Sequence, residues 1–409
     1  MQTVISTFKK IYWRSKIKGI NFLKKVLPKY NRVIIVGNHR LEDNAISLAN
    51  YIVENYSTPV YYEISKEYIN QAKKFLNPEV KILDSSKKTK ELFKALTTKY
   101  IFFTYPYSLS NNTNSKRQKM INVWHGVGHK KIAKGRGRGS TGIPADLTIG
   151  TSDLSCNMFS EFFDVPIESV VITGYPRNDM MLNAQKDRGK LREKLISKLG
   201  NYKHFIIWMP TYRLIMGSEV EGTDRMPAGK KIERENIFQM RNFDAERFNA
   251  ILKENNALCL VKPHQLFTTD IDESYLSNIK LINNDWIYER DMSLYQFLAC
   301  TDALITDYSS VMIDYSLLDQ PIFCIAEDLE EYKKTQGLYF DDHENWVPTE
   351  LFQNQDDFLK AIEHFLSTGE DSYQVKRHKI RDVYFKYLDN QSSKRIVDFA
   401  FENKTLKGH

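Results

Sequence analysis

Cysteine is scarce in this 409-residue chain: four residues (Cys156, Cys259, Cys300 and Cys324), none at a spacing that ligates a metal. Cys259 and Cys324 stand inside apolar runs, which fits buried thiols in a reducing compartment better than a disulfide framework. No Asp-x-Asp pair closes a strand-like run, so charge stabilisation at a phosphate would fall to cationic side chains; no metal or other cofactor is expected. A glycine-rich Walker loop is missing, as is a Gly-x-Gly-x-x-Gly turn after a strand, which removes support for simple nucleoside triphosphatases and dehydrogenases. There is also no apolar run long enough to span a bilayer, and no internal repeat.

Acidic residues are absent from positions 1–32, which carry nine basic ones (Lys9, Lys10, Arg14, Lys16, Lys18, Lys24, Lys25, Lys29 and Arg32). The whole chain nets +7, so everything after that +9 segment nets −2. Val4, Phe8, Ile11, Trp13 and Ile17 lie between the charges, as suits an amphipathic helix on anionic lipid. A helix packed on its own domain with a solvated basic face is the alternative. The segment lacks the apolar core and cleavage site of a signal peptide. Nucleic acid is not an expected partner, because nothing downstream interleaves aromatic and basic residues as a base-stacking surface does.

What the chain has in plenty is material for burial, 42% hydrophobic and 12% aromatic residues, at a length that calls for two α/β cores. Strands and helices alternate: strands at 32–37, 60–64, 100–104, 121–124, 147–150 and 170–173, with helices at 43–55, 87–97 and 152–163. A charged helix at 186–199 leads to a second set, with strands at 204–209, 257–261, 280–282, 303–305 and 321–325 and helices at 244–255 and 293–300. The expected division is a basic segment 1–32, a domain 33–189, a second domain 190–371, and a helical segment 372–409 crossing back over the first. Gly217 to Arg241, and the glycine- and arginine-rich run from Lys134 to Gly142, read as loops.

Chemistry gathers where strands end. Ala303 to Ile305 runs into a polar turn whose Asp307, Ser309 and Ser310 can each cap a following helix that carries Val311, Tyr315 and Leu318 inward. Such a turn serves as an ordinary cap or as a phosphate site. Trp124-His-Gly126 places His125 at a strand exit, as a structural histidine or a general base, with Lys130 and Lys131 close behind. Pro210-Thr-Tyr-Arg213 and Lys262-Pro-His264 end two more strands. Arg213, Lys262, His264 and a helix start together could neutralise a diphosphate.

These motifs, with Gly174-Tyr-Pro-Arg-Asn-Asp179, Thr306-Asp-Tyr-Ser-Ser-Val-Met-Ile-Asp-Tyr315 and Asp328-Leu-Glu-Glu-Tyr332, resemble the CDP-glycerol glycerophosphotransferase family of teichoic acid primases and polymerases. Asp43-Asn-Ala45 is similar to a loop of the family's first domain. The resemblance implies a GT-B-like fold, two Rossmann-like doubly wound domains facing a central cleft, with the acceptor on the first and the nucleotide on the second. It implies transfer of glycerol phosphate from CDP-glycerol to a hydroxyl of a lipid-linked acceptor, with release of CMP, at the cytoplasmic membrane face. His125 would be the base; His264 with Arg213 and the turn at Ser309 and Ser310 would hold the diphosphate. Arg177 would add a cation, Pro210 and Thr211 would line the nucleotide pocket, and Trp124, Gly126, Lys130, Lys262, Asp307, Asp314 and Glu344 complete the expected substrate-binding set.

The chain departs from the family pattern at three places. Thr335-Gln-Gly337 stands where an Arg-Gly pair is common, His129 stands where an apolar residue is usual, and the insertion from Gly217 to Arg241 is long and charged. CDP-ribitol therefore stays open beside CDP-glycerol, capsule beside teichoic acid, and polymerisation or homo-oligomer formation beside single addition by a monomer. Outside this class, a GT-B nucleotide-sugar glycosyltransferase and a non-catalytic membrane-bound polyanion binder remain.

Overall fold

The structure, a computed structural model, describes residues 19–20, 22–38, 40–107, 117–132, 142–211, 238, 240, 242–263, 276–335 and 337–401. Most of the basic segment, and nearly all of both loops read from the sequence, lie outside the described residues.

Seven parallel strands form the first sheet: β1 (Tyr30–Val36), β2 (Val60–Ile64), β3 (Lys81–Asp84), β4 (Thr98–Phe103), β5 (Lys119–Asn122), β6 (Leu147–Gly150) and β7 (Val170–Ile172), in the order β3-β2-β1-β4-β5-β6-β7. Six more form the second: β8 (His204–Met209), β9 (Ala257–Val261), β10 (Ile279–Leu281), β11 (Ala303–Thr306), β12 (Ile322–Ile325) and β13 (Leu351–Phe352), in the order β10-β9-β8-β11-β12-β13. Every pairing within both sheets is parallel. A parallel strand covered on both faces is apolar throughout, and β9, Ala-Leu-Cys-Leu-Val, is buried at all five positions. In each sheet the strand order reverses once, between β1 and β4 and between β8 and β11. Those switch points put a crevice at the carboxyl ends of the strands. The architecture is α/β and GT-B-like.

Several sequence expectations shift. β5 stops at Asn122, two residues short of the expected end, because Trp124 takes a left-handed backbone. The helix expected over 186–199 is preceded by another, Pro176–Lys186, which breaks at Asp187 before Arg188–Leu199. Strand β3 and helix Gln355–Thr368 were not anticipated. The helix after β11 has only five residues, Val311–Tyr315, before tightening to a 3₁₀ turn; its N-cap Ser310 makes no side-chain cap bond.

Three helices set the first domain against its surroundings: α1 (Asp43–Asn55), α2 (Asp153–Phe163) and α3 (Pro176–Lys186). From the second, α4 (Leu294–Leu298) packs on α3, and α5 (Val311–Tyr315) follows β11. The last helices, α6 (Gln374–Tyr384) and α7 (Ser392–Phe401), return to the first domain, α6 on α2 and α7 on α1 and α3. Asp179 of α3 caps α7, one carboxylate oxygen accepting from Ser392 N at 2.8 Å and the other from Ser393 N at 2.6 Å. A single apolar cluster runs through both domains, joining Ile35 and Phe102 of the first sheet to Leu260 and Leu304 of the second.

A second junction carries the unusual His129. The segment after His125 is stitched to 337–339: Lys131 N donates to Gly337 O at 3.2 Å, and Tyr339 N to His129 O at 2.7 Å. Beneath it, His129 and His343 are both 0% exposed and meet edge to face at 4.8 Å, with His129 Nδ1 3.2 Å from the Tyr384 hydroxyl. Burial pulls His343 down to about 4, Lys333 adding to the effect and Glu344 opposing it. A group that stays neutral in the fold and titrates near 6.5 unfolded takes up its proton preferentially on unfolding. Its stabilising contribution is intact above pH 6.5 and is lost as pH falls toward 4. Neither His343 ring nitrogen has a hydrogen-bond partner among the described residues. His343→Phe is therefore expected to raise the unfolding midpoint at pH 7. The margin over wild type should widen by about 2 to 3 kcal/mol at pH 4.5, as read by denaturant titration. A margin independent of pH would show that His343 does not titrate as described.

Candidate active site

The carboxyl ends of the two sheets face one cleft of about 440 Å³. The first domain contributes Tyr105, Trp124, His125 and Gly126, and the second Pro210, Thr211, Lys262, Ser309 and Ser310, with Lys130 and Arg177 also lining it. Ten of the expected site residues thus share one space.

The β5 exit is shaped to present His125. Asn122 Oδ1 accepts from Trp124 N at 3.1 Å, and Trp124 turns to φ 56°, a conformation that costs a bulky residue about 1–2 kcal/mol. His125 Nδ1 lies 2.7 Å from the Thr104 carbonyl oxygen. Only an N–H can donate there, so Nδ1 carries the proton and Nε2 keeps the lone pair. Gly126, at φ 136°, leaves room for the Arg177 guanidinium: a Cβ would sit 2.5 Å from Nη2.

Arg177 ties the walls together. Its Nη1 donates to His125 O at 2.7 Å and its Nη2 to Asp314 Oδ2 at 2.5 Å, while Tyr295 OH donates to the same carboxylate oxygen at 2.7 Å. Burial is the largest single influence and works against the cation, but Asp314, Tyr295, Glu42 and Tyr175 together outweigh it and hold Arg177 above its ordinary value. Asn44 Oδ1 accepts from Arg177 N at 3.0 Å and its Nδ2 donates to Trp124 O at 3.1 Å, so one buried amide links α1, α3 and the histidine turn.

Residues 20–402 match the CDP-Glycerol:Poly(glycerophosphate) glycerophosphotransferase family. The chain belongs to this family. It is 28% identical to the teichoic acid ribitol-phosphate polymerase TarL of Staphylococcus aureus over 74% of this chain and 51% of that one. It is 24% identical to a teichoic acid glycerol-phosphate transferase of the same species, over 97% of this chain and 99% of that one. It therefore spans about half the length of the polymerase and nearly all of the transferase. Among solved structures, the wall teichoic acid polymerase TagF superposes with a TM-score of 0.73 at 20% identity, covering 98% of this chain and 96% of that chain.

Within this family member, the remaining expected residues divide. Asp307 is buried and fixes the turn after β8: Thr211 N donates to both its carboxylate oxygens at 2.9 Å, and the Thr211 hydroxyl bonds to it as well. Asp314 acts on Arg177. Neither carboxylate lines the cleft; each bonds to a residue that does, Asp307 to Thr211 and Asp314 to Arg177. Glu344 is exposed on a 3₁₀ turn and also stands outside the cleft lining. Arg213 and His264 lie outside the described residues. Tyr308 stacks on Tyr332 at 3.9 Å and donates to Asp328 Oδ1 at 2.9 Å, which is why the motifs around 306–315 and 328–332 occur together.

The cleft also contains charged groups that the motifs did not single out as ligands. Burial pushes Glu42 up to about 7 and Asp43 up to about 6, while it pulls Lys262 down to about 8 against the attraction of Asp43. Asp43 Oδ2 accepts from Tyr295 N at 2.8 Å, a further bond between domains. The sequence signal for these was Asp43-Asn-Ala45, whose contacts are long-range. Tyr105 and Tyr295 had no signal at all.

Proposed function

We propose that this enzyme transfers a polyol phosphate, glycerol phosphate from CDP-glycerol in the first instance, onto a hydroxyl of a lipid-linked acceptor in teichoic acid or capsule synthesis. One observation carries the reading: a histidine whose Nδ1 donates to Thr104 O faces, across one cleft, Lys262, Ser309 and Ser310 at the second sheet's switch point. The acceptor oxygen would attack the phosphorus that bears the glycerol. As that bond forms, the bond from this phosphorus to the bridging oxygen breaks, and CMP leaves with that oxygen. His125 Nε2 takes the acceptor proton. Transfer of this kind needs positioning and charge stabilisation more than covalent chemistry. Lys262 and Arg177 supply fixed charge, and the Ser309 and Ser310 hydroxyls supply donors.

A second polyol has a specific observation behind it, the likeness to a ribitol-phosphate polymerase. For location, the reading is peripheral attachment at the cytoplasmic membrane face. In support, Phe22, Leu23 and Val26 on helical residues 22–26 are 65%, 42% and 53% exposed beside Lys25. No helix among the described residues is long and apolar enough to cross a membrane.

The test is CMP release by the purified protein, given CDP-glycerol, CDP-ribitol or nucleotide sugars with a lipid-linked acceptor in anionic vesicles. CDP-glycerol is expected to give the highest rate. Release from CDP-ribitol alone would change the polyol, and release from neither would reject the proposal.

A further inference from the structure

The base in this reading is held by two consecutive residues on the neighbouring strand. β4 and β5 pair in parallel with Phe103 opposite Asn122, and the ladder continues one step beyond the strands through Val123 N to Phe103 O at 2.8 Å. That register brings Thr104 and Tyr105 alongside Trp124 and His125. Thr104 gives its carbonyl to Nδ1. Tyr105 lies flat on the imidazole, ring centroids 4.2 Å apart and planes at 14°, while Trp124 covers it at 4.0 Å and 31°. Tyr105 also lines the cleft, so the stack stands at the place where a substrate would sit.

We propose that Tyr105 is a positioning residue for His125, holding the imidazole plane toward the acceptor and stabilising the imidazolium that forms when it takes the acceptor's proton. The inference rests on His125 being the base. A neutral imidazole gains modestly from an aromatic face, but an imidazolium gains more, because the ring quadrupole attracts the cation. The Thr104 carbonyl acts in the same direction, since a charged N–H donor bonds more strongly than a neutral one. Both therefore favour the state reached during proton transfer, and a contact that strengthens along the reaction raises turnover more than ground-state affinity.

The test compares Tyr105→Leu with Tyr105→Phe, following kcat against pH at saturating CDP-glycerol and acceptor. Leucine keeps apolar cover but removes the ring face; phenylalanine keeps both. For Tyr105→Leu, kcat at pH 7 should fall about tenfold with KM for the donor nearly unchanged. Its acid limb should move about half a pH unit lower, because losing the face weakens the protonated form. Tyr105→Phe should recover most of the rate lost in the leucine variant and leave the acid limb where the wild type has it. A leucine profile that overlays the wild type, or phenylalanine and leucine profiles shifted alike, would overturn the proposal. Should the leucine variant fail to fold, NMR of ¹³C-labelled histidine in the wild type decides. The His125 Hε1 resonance is expected upfield from the stacked ring, and an ordinary exposed position would refute the stack. His125→Ala distinguishes the two failures. If it stays active, the base assignment falls and takes this inference with it; if it is inactive while the leucine profile is unmoved, only the role of Tyr105 falls.

Discussion

His125→Ala is expected to lower CMP release by about 10³-fold or more while the protein still folds and still binds its donor. The magnitude follows from what the side chain contributes. General-base catalysis accounts for roughly 10²–10⁴ in rate, and neighbouring Tyr105 and Trp124 have no basic nitrogen to substitute for Nε2. The cost to stability is smaller. A half-buried ring is removed from between Tyr105 and Trp124, worth about 1 kcal/mol, and no buried charge is left behind. Donor affinity, measured by calorimetry with CDP-glycerol, should change little, because the groups proposed to hold the diphosphate lie on the opposite wall. Retained turnover would remove the proposed mechanism, and lost turnover with a lost unfolding transition would make the effect structural.

Arg177→Met should be the most damaging single change to both fold and rate. Asp314 is 2% exposed, and without the guanidinium its Oδ2 is left with the Tyr295 hydroxyl as donor. Removing one member of a buried pair costs about 3–5 kcal/mol, because the remaining charge is stranded. The His125 carbonyl loses its donor at the same time. Replacing both charges, Arg177→Met with Asp314→Leu, should recover most of the stability, since an apolar pair avoids the desolvation penalty. Turnover should stay at least about 10²-fold down, because the cleft would still lack one of its two proposed cations. Urea titration and CMP release on the single and double variants separate the two effects. A double variant with near-normal turnover would reduce Arg177 to a structural tie, and a single variant as stable as wild type would show that the pair does not hold the walls together.

The sequence carried what is local. Strands at 60–64, 147–150, 204–209 and 257–261 have the expected limits because each is a short apolar run bounded by polar or turn residues. His125, Lys262 and Ser309 were legible as residues at strand exits, where side chains in this fold class meet ligands. The interdomain geometry was not legible. Asp43 finds Tyr295, 252 positions away, and Arg177 finds Asp314, 137 away; no period or spacing records such pairs. Asp307 read as a cap because aspartate before a helix commonly is one, yet Thr211, just past the end of the neighbouring strand, offers its carboxylate two donors, the N–H shared between both oxygens and the hydroxyl. Trp124 read as strand because it is aromatic and apolar, and its positive φ arises from the Asn122 side chain capturing its N–H.

The bond from Asp179 to the start of α7 has a consequence for how the molecule is made. Asp179 sits two residues after Arg177 on α3, and its carboxylate is satisfied by Ser392 and Ser393, more than 200 positions later in the chain. On the ribosome, the first sheet can form long before those serines exist, but the outer faces of α1 and α3 stay uncovered until α7 is synthesised. The nascent chain therefore carries α3, and with it Arg177, uncovered through the whole synthesis of its second domain, until Ser392 and Ser393 emerge to satisfy Asp179.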